Sequence, residues 1–554
     1  GFCRDYGLEY NYLTPTLSWE PYPTSPSIEG EERRGFGEAR REMRMIKQKL
    51  QQLIADQTGQ KPEDIKIEKP PKAEFGDYAA FVGKDADKIK NQISKIKEIE
   101  KIEVKGPYIN FFLSSEFVQS ELARIADVTS YTLHDLDGKT VIVEYTDPNP
   151  FKLFHIGHLM SNAIGEAIAR LHEAVGAKVL RVNYQGDIGM HVAKAVWAKG
   201  DYAAGSKAYD TDPQAKVEVE AINKKIYDKS DATINALYDQ GRKKSLEYFE
   251  KQYERLGTKF VHYFFESEMA PIGVELIKKH QDIFVQSQGA TVFHGEHTRV
   301  FINSQGLPTY EAKELGLNQE KFKLYHPDLS IIVTADEIKA YFEVLMEAMK
   351  LVIPDVAAKT RHLPHGMLRL PTGKMSSRTG DVITADDFIE QVKAKTGSEE
   401  TAIGEIKYSI LKQGIGNDIV FDFEKSLSVQ GDSGVYLQYT YARLQSILEK
   451  SQISSTKSQT NYNELNHQTE LNIIKHLIEF PDAIAASASD FAPNHLALYL
   501  YELSNKANAF YEQVRILVDE NEERKQARLV LVQTTADVLK RGLEILGIKA
   551  PSKI

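Results

Sequence analysis

The chain has 554 residues, too many for one hydrophobic core, so roughly two to four domains are expected. Apolar residues make up 42% and charged residues 27%, ordinary for a globular protein, and no apolar run of about 18 residues is present to span a membrane as a helix. The formal net charge of −10 excludes a general basic sheath for nucleic acid, and the single cysteine, Cys3, excludes a disulfide framework or a multi-cysteine zinc site within the chain. A reducing compartment, the cytoplasm, fits this composition.

Residues 1 to about 42 hold Tyr10, Tyr12, Pro15, Pro21, Pro23 and Pro26 among Ser, Thr and Gly, without a period. They read as a leader outside the folded part or as a disordered extension, with Met43 and Met45 just ahead of the first helical pattern. Met45, Ile46, Leu50, Leu53 and Ile54 recur at helical spacing. A turn-rich loop follows from Lys69 to Tyr78, and Gly106-Pro107 feeds an apolar strand that ends near Leu113. Residues 43–118 are predicted to form a small α+β domain.

Val141 to Tyr145 is a short apolar run, read as a buried strand that the loop Thr146-Asp147-Pro148-Asn149-Pro150 stops. Apolar positions from Leu159 through Val175 then recur at three and four, and Gly176 is a natural helix stop. Lys178–Tyr184 reads as the next strand. Strand, helix and strand make a βαβ unit, for which a right-handed crossover and a parallel sheet are expected. Ser330–Thr334 adds another buried strand. Residues 119–397 are thus predicted as an α/β domain, with a charged helical insertion over about 200–270. Amphipathic stretches at Val435–Leu448, Leu471–Ala486, Leu496–Tyr511 and Arg524–Leu546 predict an all-α domain over 398–554.

Two stretches carry chemistry. Phe154-His155-Ile156-Gly157-His158 sets two imidazoles around a glycine at the mouth of the predicted helix. Unpaired N–H groups at a helix N-terminus favour anionic phosphate, and both imidazoles add donors there. Gly157 is expected to let the backbone approach adenine or ribose. An isolated His-x-Gly-His is common in ordinary cores. Its position at the carboxyl end of a buried strand, where open α/β sheets bind ligands, gives it force. The second stretch is Gly373-Lys374-Met375-Ser376-Ser377-Arg378. Lys374 offers a point charge, Arg378 a planar fork and the serines hydroxyl donors, a set suited to pyrophosphate. Either stretch alone has a bland reading. In this order they point to ATP-driven adenylation.

The two stretches resemble the HIGH and KMSKS motifs of the class I aminoacyl-tRNA synthetases, and their surroundings resemble arginyl-tRNA synthetase. Glu144-Tyr145-Thr146-Asp147-Pro148-Asn149, Asn183-Tyr184-Gln185-Gly186-Asp187-Ile188-Gly189 and Thr309-Tyr310 through Glu314 are similar to that family's segments. So are Gly434 to Tyr439 with Ala442-Arg443, and the ending Leu546 to Pro551. The resemblance implies a Rossmann-like catalytic domain between a small tRNA-contacting α+β domain and a helical anticodon-binding domain. It implies ATP with Mg2+ carried on its phosphates, L-arginine and tRNA(Arg) as substrates, no zinc, and a monomer. Arginyl-adenylate would form first, and the tRNA's terminal ribose would then take the arginyl group.

Under this resemblance His155, His158, Lys374 and Arg378 would be catalytic, and Phe154, Gly157, Met375, Ser376 and Ser377 would contact ATP. Glu144, Asn149, Tyr310 and Glu314 would bind arginine, the two carboxylates facing the guanidinium fork and Tyr310 sharing a helix face with Glu314. Phe75 and Tyr78 would meet the tRNA from the first domain, and Tyr436, Tyr439 and Arg443 from the last. The chain departs from the family pattern at Glu314, usually Asp; at Ile338, often Gln; and at Ser377, where the second lysine of the motif falls. Two other readings compete: a class I synthetase for another amino acid such as cysteine, and a paralogue that binds tRNA without charging it.

Overall fold

The computed structural model describes residues 46–93, 96–126, 133–370, 383–428, 431–451 and 460–554. Residues 1–42, expected to be a leader or a disordered extension, lie outside the described residues, as do Lys374, Met375, Ser376, Ser377 and Arg378.

The central sheet has five strands in the order Thr360–His365, Leu329–Ala335, Thr140–Glu144, Lys178–Gln185 and His262–Phe265. Every neighbouring pair is parallel. Parallel strands are covered on both faces, which is why Val141-Ile142-Val143 and Ile331-Ile332-Val333 are continuous apolar runs and wholly buried. From Thr140–Glu144 the chain first builds outward through Lys178–Gln185 and His262–Phe265. It then crosses back to add Leu329–Ala335 on the other side. The reversal opens a crevice at the carboxyl ends of Thr140–Glu144 and Leu329–Ala335, the topological switch point where such sheets bind ligands.

Helix Ile156–Ala174 follows the first of these strands, and Gly176 beyond its end takes φ 95°. It is apolar almost all round because it is covered on both sides. One side packs on the sheet, the other on helices Glu399–Leu411 and Phe480–Ser489. Fully buried Glu166, on this helix, is neutralised by Arg170 at 2.6 Å and Arg181 at 3.0 Å.

The span 200–270 is only partly the helical insertion expected. Helices Tyr202–Thr211, Pro213–Asp228 and Ala232–Leu256 fill it up to Gly257, which takes φ 70°. His262–Phe265 is instead the edge strand of the sheet, its aromatic run paired to Val182–Gln185. A three-stranded antiparallel sheet of Val285–Ser287, Ala290–His294 and Thr298–Ile302 was not anticipated. The stretch Leu471–Ala486 is also two helices, Gln468–Ile478 and Phe480–Ser489. Pro481 lies in the first turn of the second, where its missing N–H does no harm but cannot extend the preceding helix.

Near the N-terminal end, Ile67–Glu68, Tyr78–Phe81, Tyr108–Leu113 and Ile99–Lys105 form an antiparallel sheet, beside helices 46–58 and Ala86–Gln92. It is fastened to the C-terminal helices by Lys475–Asp77 at 2.8 Å, Lys69–Glu479 at 2.6 Å and the pair Lys47–Asp482. Tyr78 is part of the core under these contacts and 5% exposed. An RNA base therefore has no access to stack on it, contrary to expectation. Phe75 is half-buried, with the Lys105 ammonium 3.8 Å from its ring centre.

One helix crossing sets the site described below. Helices Glu266–Lys279 and Tyr310–Tyr325 meet at Gly273 and Gly316. A Cβ at Gly273 would lie 1.8 Å from the Ala312 carbonyl oxygen, and one at Gly316 would lie 2.4 Å from that of Met269. Backbone atoms cannot yield as side chains do. Gly316→Ala is expected to cost about 2 kcal/mol of stability, read as a lowered thermal midpoint.

Candidate active site

The loop leaving the strand Thr140–Glu144 is held in a tight, partly left-handed path. Thr146, Asp147 and Phe151 take φ of 79°, 42° and 69°, each a non-glycine residue in a region that costs of order 1 kcal/mol. Side chains hold that path. The Thr146 N–H donates to Ser161 Oγ at 2.9 Å, Asn162 Nδ2 to Thr146 Oγ1 at 3.1 Å, and the Tyr184 N–H to an Asp147 carboxylate oxygen at 2.8 Å. The Phe151 N–H donates to Ser245 Oγ at 2.9 Å, tying the loop to the insertion helix.

This path delivers His155 as the N-cap of helix Ile156–Ala174. The Gly157 N–H donates to His155 Nδ1 at 3.1 Å, and the His155 N–H donates to His158 Nδ1 at 3.2 Å. The rings stack with centroids 3.7 Å apart. The imidazoles thereby take up the N–H of Gly157 and that of the N-cap, which are not left free for a phosphate as expected. These bonds also fix the tautomer: with Nδ1 accepting, each neutral ring carries its proton on Nε2 and presents one N–H donor. Burial, then Lys152, lowers the His155 pKa to about 4. Burial, then His155, holds His158 well below the ordinary imidazole range. Both are neutral donors near neutral pH, not cations. A Cβ at Gly157 would lie 2.9 Å from His155 Cε1, so the glycine makes room for the imidazole cap itself.

Two neighbours complete this corner. Phe154, expected to contact nucleotide, is fully buried against Phe249, Tyr253 and His158. Its carbonyl accepts from the Ala385 N–H at 2.9 Å, which ties the helix mouth to the residues that follow 371–382. Lys152 is a cation that motif reading passed over; burial lowers its pKa, and its charge is felt by both imidazoles. As the one lysine between Asn149 and His155, it had a signal in its position alone.

Across the crevice lies an acidic pocket. Glu144, at the strand end, is 1% exposed and accepts from Lys321 Nζ at 2.6 Å, a lysine that is itself fully buried. Expected to face the guanidinium with Glu314, it is instead paired with Lys321, seven residues beyond Glu314 on one helix. Glu266 is matched in the same way by Lys313 at 2.7 Å. Glu314 has no such partner: its Oε2 is buried and accepts no hydrogen bond. Burial, then the nearby Glu144 charge, raises its pKa well above the carboxylate range. The hydroxyls of Tyr184 and Tyr341 are likewise buried and unpartnered. Tyr184 feels the charges of Glu266 and Glu314, and Tyr341 feels Glu314 first among its neighbours. Tyr310, expected to share the helix face of Glu314, is the first residue of the helix and is 60% exposed. Ile338 is also exposed, in the turn Asp336–Ile338.

Asn149 lies close against Gly186, where a Cβ would come within 2.2 Å of Asn149 Oδ1. The next residue, Asp187, is fully buried. It takes hydrogen bonds from Tyr238 Oη at 3.0 Å and from the Ser267 N–H at 2.9 Å, and pairs with Arg242 at 3.0 Å. The Asn183–Gly189 segment thus bolts the insertion helix Ala232–Leu256 to helix Glu266–Lys279.

In the C-terminal helices Arg443 lies over the rings of Tyr439 and Tyr511, at 4.9 and 5.2 Å, and donates to Asn508 Oδ1 at 2.7 Å. Tyr439, Arg443 and Tyr511, with Arg515 and Lys553, line a cleft of about 910 Å³. Tyr436 is more engaged, bonded through its hydroxyl to Asn505 and Asn508 at 2.9 Å each. Tyr499 and Phe510 are core residues.

A family model described as the class I (R) tRNA synthetase catalytic domain matches residues 122–406, and one described as the DALR anticodon binding domain matches 437–554. The catalytic half is that of a class I aminoacyl-tRNA synthetase. The chain is 31% identical to the arginine–tRNA ligase of Clostridium kluyveri, over 88% of this chain and 96% of that one. It is 29% identical to the arginine–tRNA ligase of Halothermothrix orenii, over 92% and 100%. The arginyl-tRNA synthetase structures of Plasmodium falciparum and Thermus thermophilus share the fold, with TM-scores of 0.76 and 0.70 at 22% and 23% identity, covering 92% and 91% of this chain and 99% of each of theirs. The chain belongs to the arginyl-tRNA synthetase family, as its motifs led one to expect.

His158→Ala should lower turnover at least roughly tenfold while affinity for tRNA holds, by the usual worth of one donor aimed at developing charge. Steady-state kinetics beside a filter-binding assay read both; unchanged turnover would remove His158 from the chemistry.

Proposed function

We propose that the chain ligates L-arginine to tRNA(Arg) at the expense of ATP. The observation that carries this reading is the buried, unpartnered Glu314 carboxylate across the crevice from two Nε2–H imidazoles. A guanidinium is a cation with five N–H donors in a plane, and a pocket lined by one unmatched carboxyl and two unmatched phenols supplies acceptors for it. The full-length relatives named as arginine–tRNA ligases do not favour a cysteine enzyme or a non-charging paralogue.

In the first step an oxygen of the arginine carboxylate attacks the α-phosphorus of ATP, the bond to the bridging oxygen breaks, and pyrophosphate leaves. In the second the terminal ribose hydroxyl of the tRNA attacks the acyl carbon, losing its proton, and AMP leaves. No protein nucleophile is needed. Asn149 orients the main-chain end of arginine, and Tyr310 closes over the pocket mouth. His155 and His158 donate to phosphate oxygens as negative charge grows on the α-phosphoryl group. As neutral donors they add no charge that would hold ATP before the reaction, so their effect is concentrated at the transition state. Lys152 adds a fixed cation beside them. Lys374 and Arg378, with Met375, Ser376 and Ser377, are assigned to the leaving pyrophosphate from their sequence alone. Mg2+ enters with the nucleotide, held by phosphate oxygens and water.

For tRNA, Tyr439 and Arg443 with Tyr511 form the exposed aromatic and cationic set suited to unpaired bases, and Tyr436 braces it. Phe75 is the remaining candidate on the first domain. The carboxyl and imidazole groups all come from one chain, so a monomer suffices.

ATP–pyrophosphate exchange, assayed with tRNA present and each amino acid in turn, should proceed with arginine alone; exchange with cysteine, or none with any of the twenty, would overturn the reading. A second outcome follows from the raised pKa of Glu314. Bound guanidinium requires the ionised carboxylate, so at lower pH binding must first remove a proton. The KM for arginine should therefore fall as pH rises through the neutral range, and Glu314→Gln should flatten that dependence while raising KM at every pH.

A further inference from the structure

Resting on this arginine-charging reading, we infer that Tyr341, together with Tyr184, is a specificity-determining residue whose phenol oxygen accepts a hydrogen bond from the guanidinium of bound arginine.

Tyr341 lies on helix Lys339–Val352, which starts at the carboxyl end of the strand Leu329–Ala335, next to the strand that ends in Glu144. Its ring stands edge-on to Phe342 at 5.1 Å, and Phe342 stacks on His362 at 3.9 Å. The ring is thus placed by apolar contact, and the hydroxyl contributes nothing to that placement. Yet the hydroxyl is buried with no partner. Leaving such a group unpaired costs a few kcal/mol at most but is always unfavourable, and phenylalanine would avoid the cost. Tyr184, on the strand Lys178–Gln185, presents a second unpaired phenol, and Glu314, on helix Tyr310–Tyr325, an unpaired carboxylate oxygen. Three unsatisfied acceptors thus come from three separate elements. They are electrostatic neighbours, because Tyr184 feels both Glu314 and Tyr341, and Tyr341 feels Glu314.

The ligand that satisfies this set is constrained. It carries one positive charge, because Glu144 and Glu266 already hold their own lysines while Glu314 holds none. It presents donors spread over several atoms, because the acceptors sit on different walls. An ammonium gathers three donors on a single nitrogen, whereas a guanidinium distributes five over three nitrogens, which suits acceptors carried by three separate elements. A guanidinium bonded to Glu314 has N–H groups left over, and the two phenol oxygens take them. Lysine would leave at least one phenol unpaired, which is how a polar pocket discriminates.

The test is tRNA-dependent ATP–pyrophosphate exchange by Tyr341→Phe, with arginine and with lysine, beside Glu314→Gln and the unmodified protein. The expected result for Tyr341→Phe is a roughly tenfold higher KM for arginine, a kcat that holds, and a smaller preference for arginine over lysine. Its thermal midpoint should be unchanged or higher, since an unpaired hydroxyl has been removed; a merely structural hydroxyl would lower the midpoint and leave KM alone. An unchanged arginine KM in Tyr341→Phe, with Glu314→Gln raising it, would overturn the role of Tyr341 and leave the pocket standing. An arginine KM that neither substitution moves would overturn the pocket reading as well.

Discussion

A carboxyl group taken out of water must find a proton, a cation or hydrogen-bond donors, and the crevice of this enzyme is organised by which of its acids has done so. Glu144 is held by Lys321, Glu266 by Lys313 and Asp187 by Arg242. Among the described residues Glu314 Oε2 is the buried carboxylate oxygen left without a partner. The set therefore lacks one positive charge and has a structural reason to bind it. The two glycines at the crossing of helices Glu266–Lys279 and Tyr310–Tyr325 let these helices pack backbone to backbone beside it.

The opposite wall uses a different economy. At the start of helix Ile156–Ala174 the Gly157 N–H is taken by His155 Nδ1 and the N-cap N–H of His155 by His158 Nδ1, so the imidazoles cap the helix themselves. What the imidazoles give in return is a pair of oriented Nε2–H donors, kept neutral by burial. The helix end thus presents two side-chain N–H donors beside its own dipole. The left-handed loop of Thr146, Asp147 and Phe151 is the backbone distortion that permits this, and its hydrogen bonds to Ser161, Asn162, Tyr184 and Ser245 hold it there.

Much of this was legible in the residues. The runs Val141–Tyr145 and Ser330–Thr334 read as buried strands and the period from Leu159 to Val175 as an amphipathic helix; that this helix is buried on more than one side emerges only in the fold. The same logic fails where two elements share one composition. His262–Phe265 is aromatic rather than aliphatic and follows three charged helices, so nothing local separates it from them until it pairs with Val182–Gln185. In the candidate site the acids were legible because carboxylates near apolar strands are conspicuous. Their partners were not. Lys321 and Lys313 sit in a helix of mixed composition where lysine is ordinarily a solvated residue, and only the fold turns them inward. Tyr78 and Phe154 were read as surfaces for ligands because an aromatic residue looks the same in a sequence whether it stacks on a base or on a neighbour. Tyr341 was missed for the converse reason.

The central claim is that the unmatched acceptors of one pocket recognise a guanidinium. A crystal structure of the protein with bound arginine tests it most directly. The account predicts the guanidinium within hydrogen-bonding distance of Glu314 Oε2 and of the hydroxyls of Tyr184 and Tyr341, with Lys321 still on Glu144. Arginine bound elsewhere, with those three atoms still without partners, would contradict it.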